Sequence, residues 1–411
     1  MFSVEEVLKL IKGARVEGRG VRVIKGISTD TRAIKPGELF IPIKGPKFDG
    51  RKFIPEALRK GALVLETGNG LKALHALAAY HRGKFKIPVI GVTGSVGKTT
   101  TKDMIASILS REKPTLKNEE NYNNEIGVPL TLLKLTRKHK FAVVEMAMQR
   151  LGEIEELARI VRPTIAVVTN IGEAHLEFLK TTRNVAKAKA EIFKFLHRED
   201  HAVINADDEH FEHLKIRVTR YALRVTTFGI IEKSDITPKD LEGIKLSVPG
   251  EHNIYNALAA IAVAKILKIK KASIKKGLEE FRPSSKRWDV INRRDGVKII
   301  NDSYNANPQS MAAGLKVISQ LSSVDSRRIA VLGDMLELGK TARSAHRKVL
   351  KLAKKLKIDK VYTFGNLWPK SYKNKKILIK DLKEFIRPND VILVKGSRGM
   401  EMEEVADALL S

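Results

Sequence analysis

The sequence predicts an α/β protein of three domains, and three observations carry that prediction. Short β-branched apolar runs recur along the chain and alternate with helix-period stretches, the pattern of mostly parallel sheets covered by helices. The chain has 411 residues, which at roughly 100 to 200 residues per domain predicts two to four domains. Two changes of texture then divide it into residues 1–82, a small α/β domain, residues 83–282, a central domain with a mostly parallel sheet, and residues 283–411, a Rossmann-like α/β domain.

The first domain reads as a short helix, the β-rich turns KGISTDTRAIKPGELFIPIKG, a helix around Pro55 to Lys60 and a strand ALVLE. At Ile87 the texture changes to IPVIGVTG, a buried strand that feeds a helix over Lys98 to Leu109 through a glycine loop. Further strands are predicted at FAVVEM (141–146), TIAVVTNIG (164–172) and HAVINADD (201–208). Residues 217–249 break the rhythm with short β-like pieces, which predict a local antiparallel addition before the long helix of GEHNIYNALAAIAVAKIL. FRPSSKRWDV has the Pro and Ser of a domain junction. After it, VKIINDS, RRIAVLGDM, KVYTFGN and DVILVKGSRG form a third series, whose ligand-facing loops are expected at the carboxyl ends of the strands.

Composition narrows the function classes. Hydrophobic residues at 43% against 30% charged exclude disorder as the main theme. The absence of cysteine excludes disulfides, thiolate chemistry and zinc ribbons, so any metal must be held by oxygen or nitrogen. The N-terminus lacks the pattern of a signal peptide, and apolar stretches such as Ala257 to Ala264 are far shorter than the roughly 20 residues that span a bilayer. A cytoplasmic protein without a membrane partner is expected. The net charge of +29 makes an anionic partner the first question, but it is spread as +8, +9 and +12 over the three domains, and aromatics are only 6%. Nucleic acid is therefore not expected, and a lysine-rich solvated surface is. Glutamine occurs only at Gln149, Gln309 and Gln320, a scarcity that heat-adapted proteins tend to show.

The clearest chemical signal is Gly94-Ser95-Val96-Gly97-Lys98-Thr99-Thr100 between strand and helix. Val92 stands where the general phosphate-loop pattern has its first glycine, but the core GxxGKT is kept. Glycines let backbone N–H groups curl around phosphate, Lys98 supplies a point charge, and Thr99 offers a hydroxyl to magnesium. Such a loop needs a carboxylate for its metal. Glu145 closes the run FAVVE, and His175 follows the next strand in TNIGEAHLE.

TGSVGKTT, NNEIGVPLTLL, VVEM, TNIGEAHLE, HNIYNALAA, NDSYNANPQS and LVKGSRG span nearly the whole chain in one order, and in this they resemble the Mur ligases, which add amino acids to the cell-wall precursor. NDSYNANP, VLGDMLELG and STDTRAIKPGELF followed by FDG are most similar to the branch that adds D-alanyl-D-alanine to UDP-N-acetylmuramoyl-tripeptide. The resemblance implies a UDP-substrate domain, a central phosphate-loop ATPase domain, and a third domain that closes over ATP and the incoming amine. It implies ATP and two magnesium ions, an acyl-phosphate intermediate and those two small-molecule substrates; a monomer is expected.

The same resemblance implies roles for individual residues. Thr99 and Glu145 match ligands of one magnesium and His175 a ligand of the other. Lys189 in AKAKAEIF matches a lysine carbamylated by carbon dioxide, with Lys187 the competing position. Asn253 and Asn256, three apart on one helix face, match the nucleotide-side HNxxN motif; as bare residues they could equally cap that helix. Arg287 matches an arginine that approaches the ATP phosphates, although Lys286 replaces the usual glycine before it, and Asp302 matches an aspartate near the nucleotide. On the substrate side stand Ser28, Thr29, Asp30, Thr31 and Arg32, a hydroxyl-rich turn for the UDP end whose bare reading is an ordinary polar turn. Asp49 of FDG, Asn123, Asn124, Asn305, Asn307 and Arg398 join them, with Arg51 where relatives often have histidine. Two other readings stay open: a different ligase of the same superfamily, and a nucleic-acid-dependent phosphate-loop ATPase.

Overall fold

The computed structural model describes residues 2–18, 22–45, 48–119, 121–321 and 326–410. Among these residues the strands form three main sheets, one for each α/β series, and a two-stranded ribbon. The first sheet orders Arg15–Glu17, Leu63–Glu66, Leu39–Phe40 and Ile27–Ser28, and the ribbon pairs Lys44–Gly45 with Phe48–Asp49. Helix Gly70–Gly83, capped by Asn69, packs beside it and buries Leu74, Leu77 and Ala78.

The central sheet is parallel throughout, in the order Arg224–Phe228, His201–Asn205, Ile165–Val168, Val89–Thr93, Phe141–Glu145, Thr115–Lys117. Val89–Thr93 is buried along its whole length because helices cover both faces. On one face lie Glu251–Ile266 and Lys98–Ser110. The first of these helices is apolar nearly all round, which is what burial between sheet and neighbouring helices demands. The chain leaves Val89–Thr93 toward one edge of the sheet and later returns on its other side, so this strand is the topological switch point where ligands bind in open α/β sheets.

Residues 217–249 correct the expected antiparallel addition. Helix Phe211–Arg220 is followed by Arg224–Phe228, which joins the central sheet as a parallel edge strand against His201–Asn205. Among the described residues its outer edge carries a parallel bridge from Phe228 to Ile236 and a bond from Thr227 N–H to Asp235 Oδ2, and Arg224 and Val225 are exposed, which is why the segment lacks the apolar run of an inner strand.

The third sheet orders Asp289–Asn292, Lys298–Asn301, Val391–Lys395, Arg328–Gly333 and Lys360–Phe364; the first pairs antiparallel and the rest are parallel. The ends of Lys298–Asn301 and Val391–Lys395 face the phosphate loop across a cleft.

Candidate active site

The phosphate loop leaves its strand at Thr93 and turns into helix Lys98–Ser110. Glycine is required twice. Gly94 has φ 152° and Gly97 has φ 82°, and a Cβ would lie 1.8 Å from Thr169 Oγ1 at the first and 2.2 Å from Asn256 Oδ1 at the second. No side chain caps the helix, so its first N–H groups remain available to an anion. The loop is braced from the next strand: Asn170 Oδ1 accepts from Val96 N–H at 2.9 Å, Gly172 N–H donates to Ser95 Oγ at 2.9 Å, and Thr169 Oγ1 donates to the Val96 carbonyl at 2.6 Å. Lys98 Nζ reaches the carbonyls of Gly94 and Ser95 at 2.9 and 3.3 Å. Burial lowers its pKa, with Glu145 opposing and Arg287 adding to the effect.

Glu145 is buried at the end of its strand, 1% exposed. Its Oε2 accepts from Thr99 Oγ1 at 2.7 Å and its Oε1 from Asn123 Nδ2 at 2.9 Å. Asn118 meets the Glu145 backbone with both ends of its amide, accepting from the N–H at 2.9 Å and donating to the carbonyl at 3.1 Å. Buried Lys102 in turn holds the Asn118 carbonyl at 2.8 Å.

A cavity of about 230 Å³ opens beside this cluster. Its walls include Ser95 to Thr100, Asn123, Glu145, His175, His252, Asn253 and Asn256 from the central domain, and Arg287, Asp302, Tyr304, Asn305, Asn307 and Lys395 from the third sheet and its approach. A second cavity of about 600 Å³ lies on the other side of the loop and is lined by Gly97, Asn170, Asp207, His252, Tyr255 and Asn256. Gly250 occupies the N-cap of helix Glu251–Ile266, so neither asparagine caps it. Asn256 Nδ2 donates to Asn253 Oδ1 at 3.1 Å, while its Oδ1 accepts from Thr101 Oγ1 at 3.1 Å. Lys286 takes φ 62°, the left-handed backbone that glycine favours, which preserves the turn despite the replacement. The Arg287 guanidinium stacks 3.7 Å from the Tyr304 ring centre, and its buried Nε has no hydrogen-bond acceptor among the described residues. Lys395 Nζ, nearly buried, pairs with Asp302 Oδ2 at 2.6 Å.

Lys189 is 1% exposed, whereas Lys187 is on the surface. Among the described residues nothing is hydrogen-bonded to the Lys189 amine, and burial, reinforced by the Lys98 cation, pushes its pKa well down. Half-buried His175 places Nδ1 2.6 Å from Glu337 Oε2 of the third domain.

Several predicted site residues also hold contacts within the protein itself. Asn124 Oδ1 accepts from the N–H of Gly127, the first residue of helix Gly127–Leu132, at 2.8 Å, and Asn307 caps Pro308–Gln320 by accepting from Ser310 N–H at 2.9 Å. Thr31 points to Glu56 at 3.0 Å, while Arg32 is exposed and paired with Asp30. Asp49 is held by Arg51 at 2.5 Å, with its pKa lowered to about 2 by that hydrogen bond. Exposed Arg398 pairs with Glu403. Ser28, Thr29 and Asp30 line a third cavity, about 780 Å³, between the first and central domains, together with Lys25, Lys84, Lys134 and Arg137. Sequence reasoning missed Asn118, Thr169, Asn170, Tyr304 and Glu337. Only the TN of TNIG, directly after a buried strand, offered a local signal.

Comparison with known proteins matches all three parts. Family profiles described as "Mur ligase family, catalytic domain", "Mur ligase middle domain" and "Mur ligase, glutamate ligase domain" match residues 23–82, 92–264 and 286–398. The UDP-N-acetylmuramoyl-tripeptide–D-alanyl-D-alanine ligase of Bacillus subtilis is 34% identical over 99% of this chain and 98% of its own. A crystal structure of MurF from Acinetobacter baumannii superposes with TM-score 0.90 at 28% identity, covering 100% of this chain and 98% of that one. The MurF ligase of Thermotoga maritima in complex with ADP gives 0.82 at 28% identity, covering 94% and 97%. A braced phosphate loop facing a third-domain cleft, and sequence likeness that runs from end to end, lead to one statement of kinship: this chain belongs to the Mur ligase family.

Proposed function

We propose that the protein is the ATP-dependent amide ligase that joins D-alanyl-D-alanine to UDP-N-acetylmuramoyl-tripeptide through an acyl phosphate, in cytoplasmic peptidoglycan precursor synthesis. The observation that carries the reading is the cavity whose walls come from the phosphate loop on one side and from Asp302, Tyr304 and Lys395 on the other. A carboxylate activated by phosphoryl transfer and an amine delivered from the third domain can meet there.

Residues 1–82, 83–282 and 283–411 then divide the labour as UDP-substrate, ATP-binding and closing domains. The cavity with Ser28, Thr29 and Asp30 suits the UDP end, because four cations surround hydroxyl and carboxylate hydrogen-bonding groups. The cavity beyond Gly97 suits the nucleoside of ATP, bordered by Asn256 and Tyr255. Asn123, Asn305 and Asn307 border the reaction cavity, and Arg398 must release Glu403 to reach a substrate carboxylate.

Thr99 and Glu145 fit magnesium as hard oxygen donors already 2.7 Å apart, and His175, on the wall of the same cavity, is the candidate ligand of a second ion. Among the described residues no three His, Asp or Glu side chains gather at one point, which suits an ion that keeps waters and phosphate oxygens in its shell. Buried, unpaired Lys189 fits carbamylation: a deprotonated amine can take up carbon dioxide, and the resulting anion would offset the Lys98 charge. When bound, magnesium neutralises charge on the transferred phosphoryl group. Lys98 and the helix N–H groups hold phosphate oxygens, while Arg287, stacked on Tyr304, presents a further cation. A monomer is the expected state.

Phosphate release from ATP tests the reading. It is expected only when UDP-N-acetylmuramoyl-tripeptide and D-alanyl-D-alanine are both present; release indifferent to the dipeptide would move the chain to another branch of the family.

A further inference from the structure

Glu337 belongs to the loop after strand Arg328–Gly333 of the third sheet, yet the central domain holds it by three hydrogen bonds. Its Oε2 meets His175 Nδ1 at 2.6 Å, its Oε1 accepts from Gln149 Nε2 at 3.2 Å, and its carbonyl accepts from Glu177 N–H at 3.2 Å. Both members of the closest pair sit in left-handed backbone, φ 56° for His175 and 62° for Glu337, a conformation that non-glycine residues keep only where surroundings enforce it. The loop is enforced from behind: Met335 N–H donates to buried His346 Nε2 at 3.0 Å and Leu336 N–H to Ser397 Oγ at 2.9 Å.

A carboxylate has no proton to give, so in the neutral ring that binds a metal, His175 Nδ1 carries the hydrogen toward Glu337 and Nε2 offers the lone pair. We propose that Glu337 is a positioning residue for the metal site: from the third domain it fixes the tautomer and ring orientation of His175. Metal binding at His175 is thereby coupled to seating of the third domain on the central one. The inference rests on the proposed function at one point, His175 as a metal ligand.

The test measures Mn²⁺ binding to the full-length protein by electron paramagnetic resonance, with a non-hydrolysable ATP analogue present and no turnover. Glu337→Ala is expected to weaken Mn²⁺ binding about 10- to 100-fold, the usual effect of losing a carboxylate behind a metal-bound histidine. The isosteric Glu337→Gln, which keeps the loop filled, should weaken it less. His175→Ala should also weaken it, and Glu337→Ala added to His175→Ala should change nothing more. Unchanged Mn²⁺ affinity in both Glu337 variants, or additive losses in the double variant, overturns the coupling while leaving His175 as a ligand. Unchanged affinity in His175→Ala overturns both the ligand assignment and the inference built on it.

Discussion

Thr99 Oγ1 donates to Glu145 Oε2 at 2.7 Å, so the hydroxyl that opens the phosphate-loop helix and the carboxylate that ends the adjacent strand already meet. Asn123 takes the other carboxylate oxygen. Glu145→Gln keeps the shape and removes the charge. Its magnesium requirement should rise by at least the roughly 10- to 100-fold typical of weaker supporting groups, read from ligation rate against Mg²⁺ concentration.

Lys189→Ala should abolish ligation and Lys187→Ala should leave it near the parent rate. The two lysines differ in burial, and burial holds the Lys189 amine toward the neutral form. In carbon dioxide-depleted buffer the parent should lose activity and regain it on addition of bicarbonate. Activity insensitive to bicarbonate would remove the carbamate from the reading.

Gly94→Ala should cost more than the roughly 1 to 3 kcal/mol of a strained backbone position, because the added Cβ also meets Thr169 Oγ1 at 1.8 Å. Combining it with Thr169→Ala removes the nearest clash but not the φ of 152°. Partial recovery of the urea midpoint and of ATP binding is therefore expected.

Asn307→Ala separates a cap from a substrate contact. Loss of the cap should lower stability by about 1 kcal/mol. The KM for D-alanyl-D-alanine should stay within about twofold if capping is its whole task; a tenfold rise, about 1.4 kcal/mol, would assign its amide to the dipeptide.

His252 gives stability a pH dependence. Burial lowers its pKa to about 4, with Asp302 opposing and Lys395 adding to the effect. Between about pH 4 and the ordinary histidine value near 6.5, the unfolded chain binds a proton that the folded chain refuses. Stability therefore falls as pH drops through this window, by on the order of 3 kcal/mol, and the histidine contribution levels off below about pH 4. Urea midpoints at pH 7.5, 5.5 and 4.5 should fall less steeply in His252→Gln than in the parent.

The legible parts of the molecule were those with local signatures. Val89–Thr93, Gly97 and Lys98 form one strand, loop and helix within ten residues, and Glu145 could be placed because it ends an apolar run. Helix Gly70–Gly83 was missed despite its Asn69 cap and buried Leu74, Leu77 and Ala78, a helical spacing that could have revealed it. Arg224–Phe228 was misassigned because an edge strand needs no continuous apolar face. Glu337 and Asn118 gave little sign of their contacts, since each acts on a residue distant in sequence. For Asn307 and Asn124 the sequence does not separate two tasks, because the chemistry that suits a ligand amide also suits the N–H groups at a helix start.

Those distant braces also bear on how the site comes into being. The bond from Val96 N–H to Asn170 closes a span of 74 residues, Thr99 to Glu145 closes 46, and Thr101 to Asn256 closes 155. Contacts of such separation carry the entropy of long loops and form only as the parallel sheet assembles. The phosphate loop is therefore a late acquisition of the folding chain, although its sequence is the most compact motif in it. A nucleotide that binds only the assembled loop will stabilise strands from Val89 to Asn205 together, so its protection should extend over the central sheet.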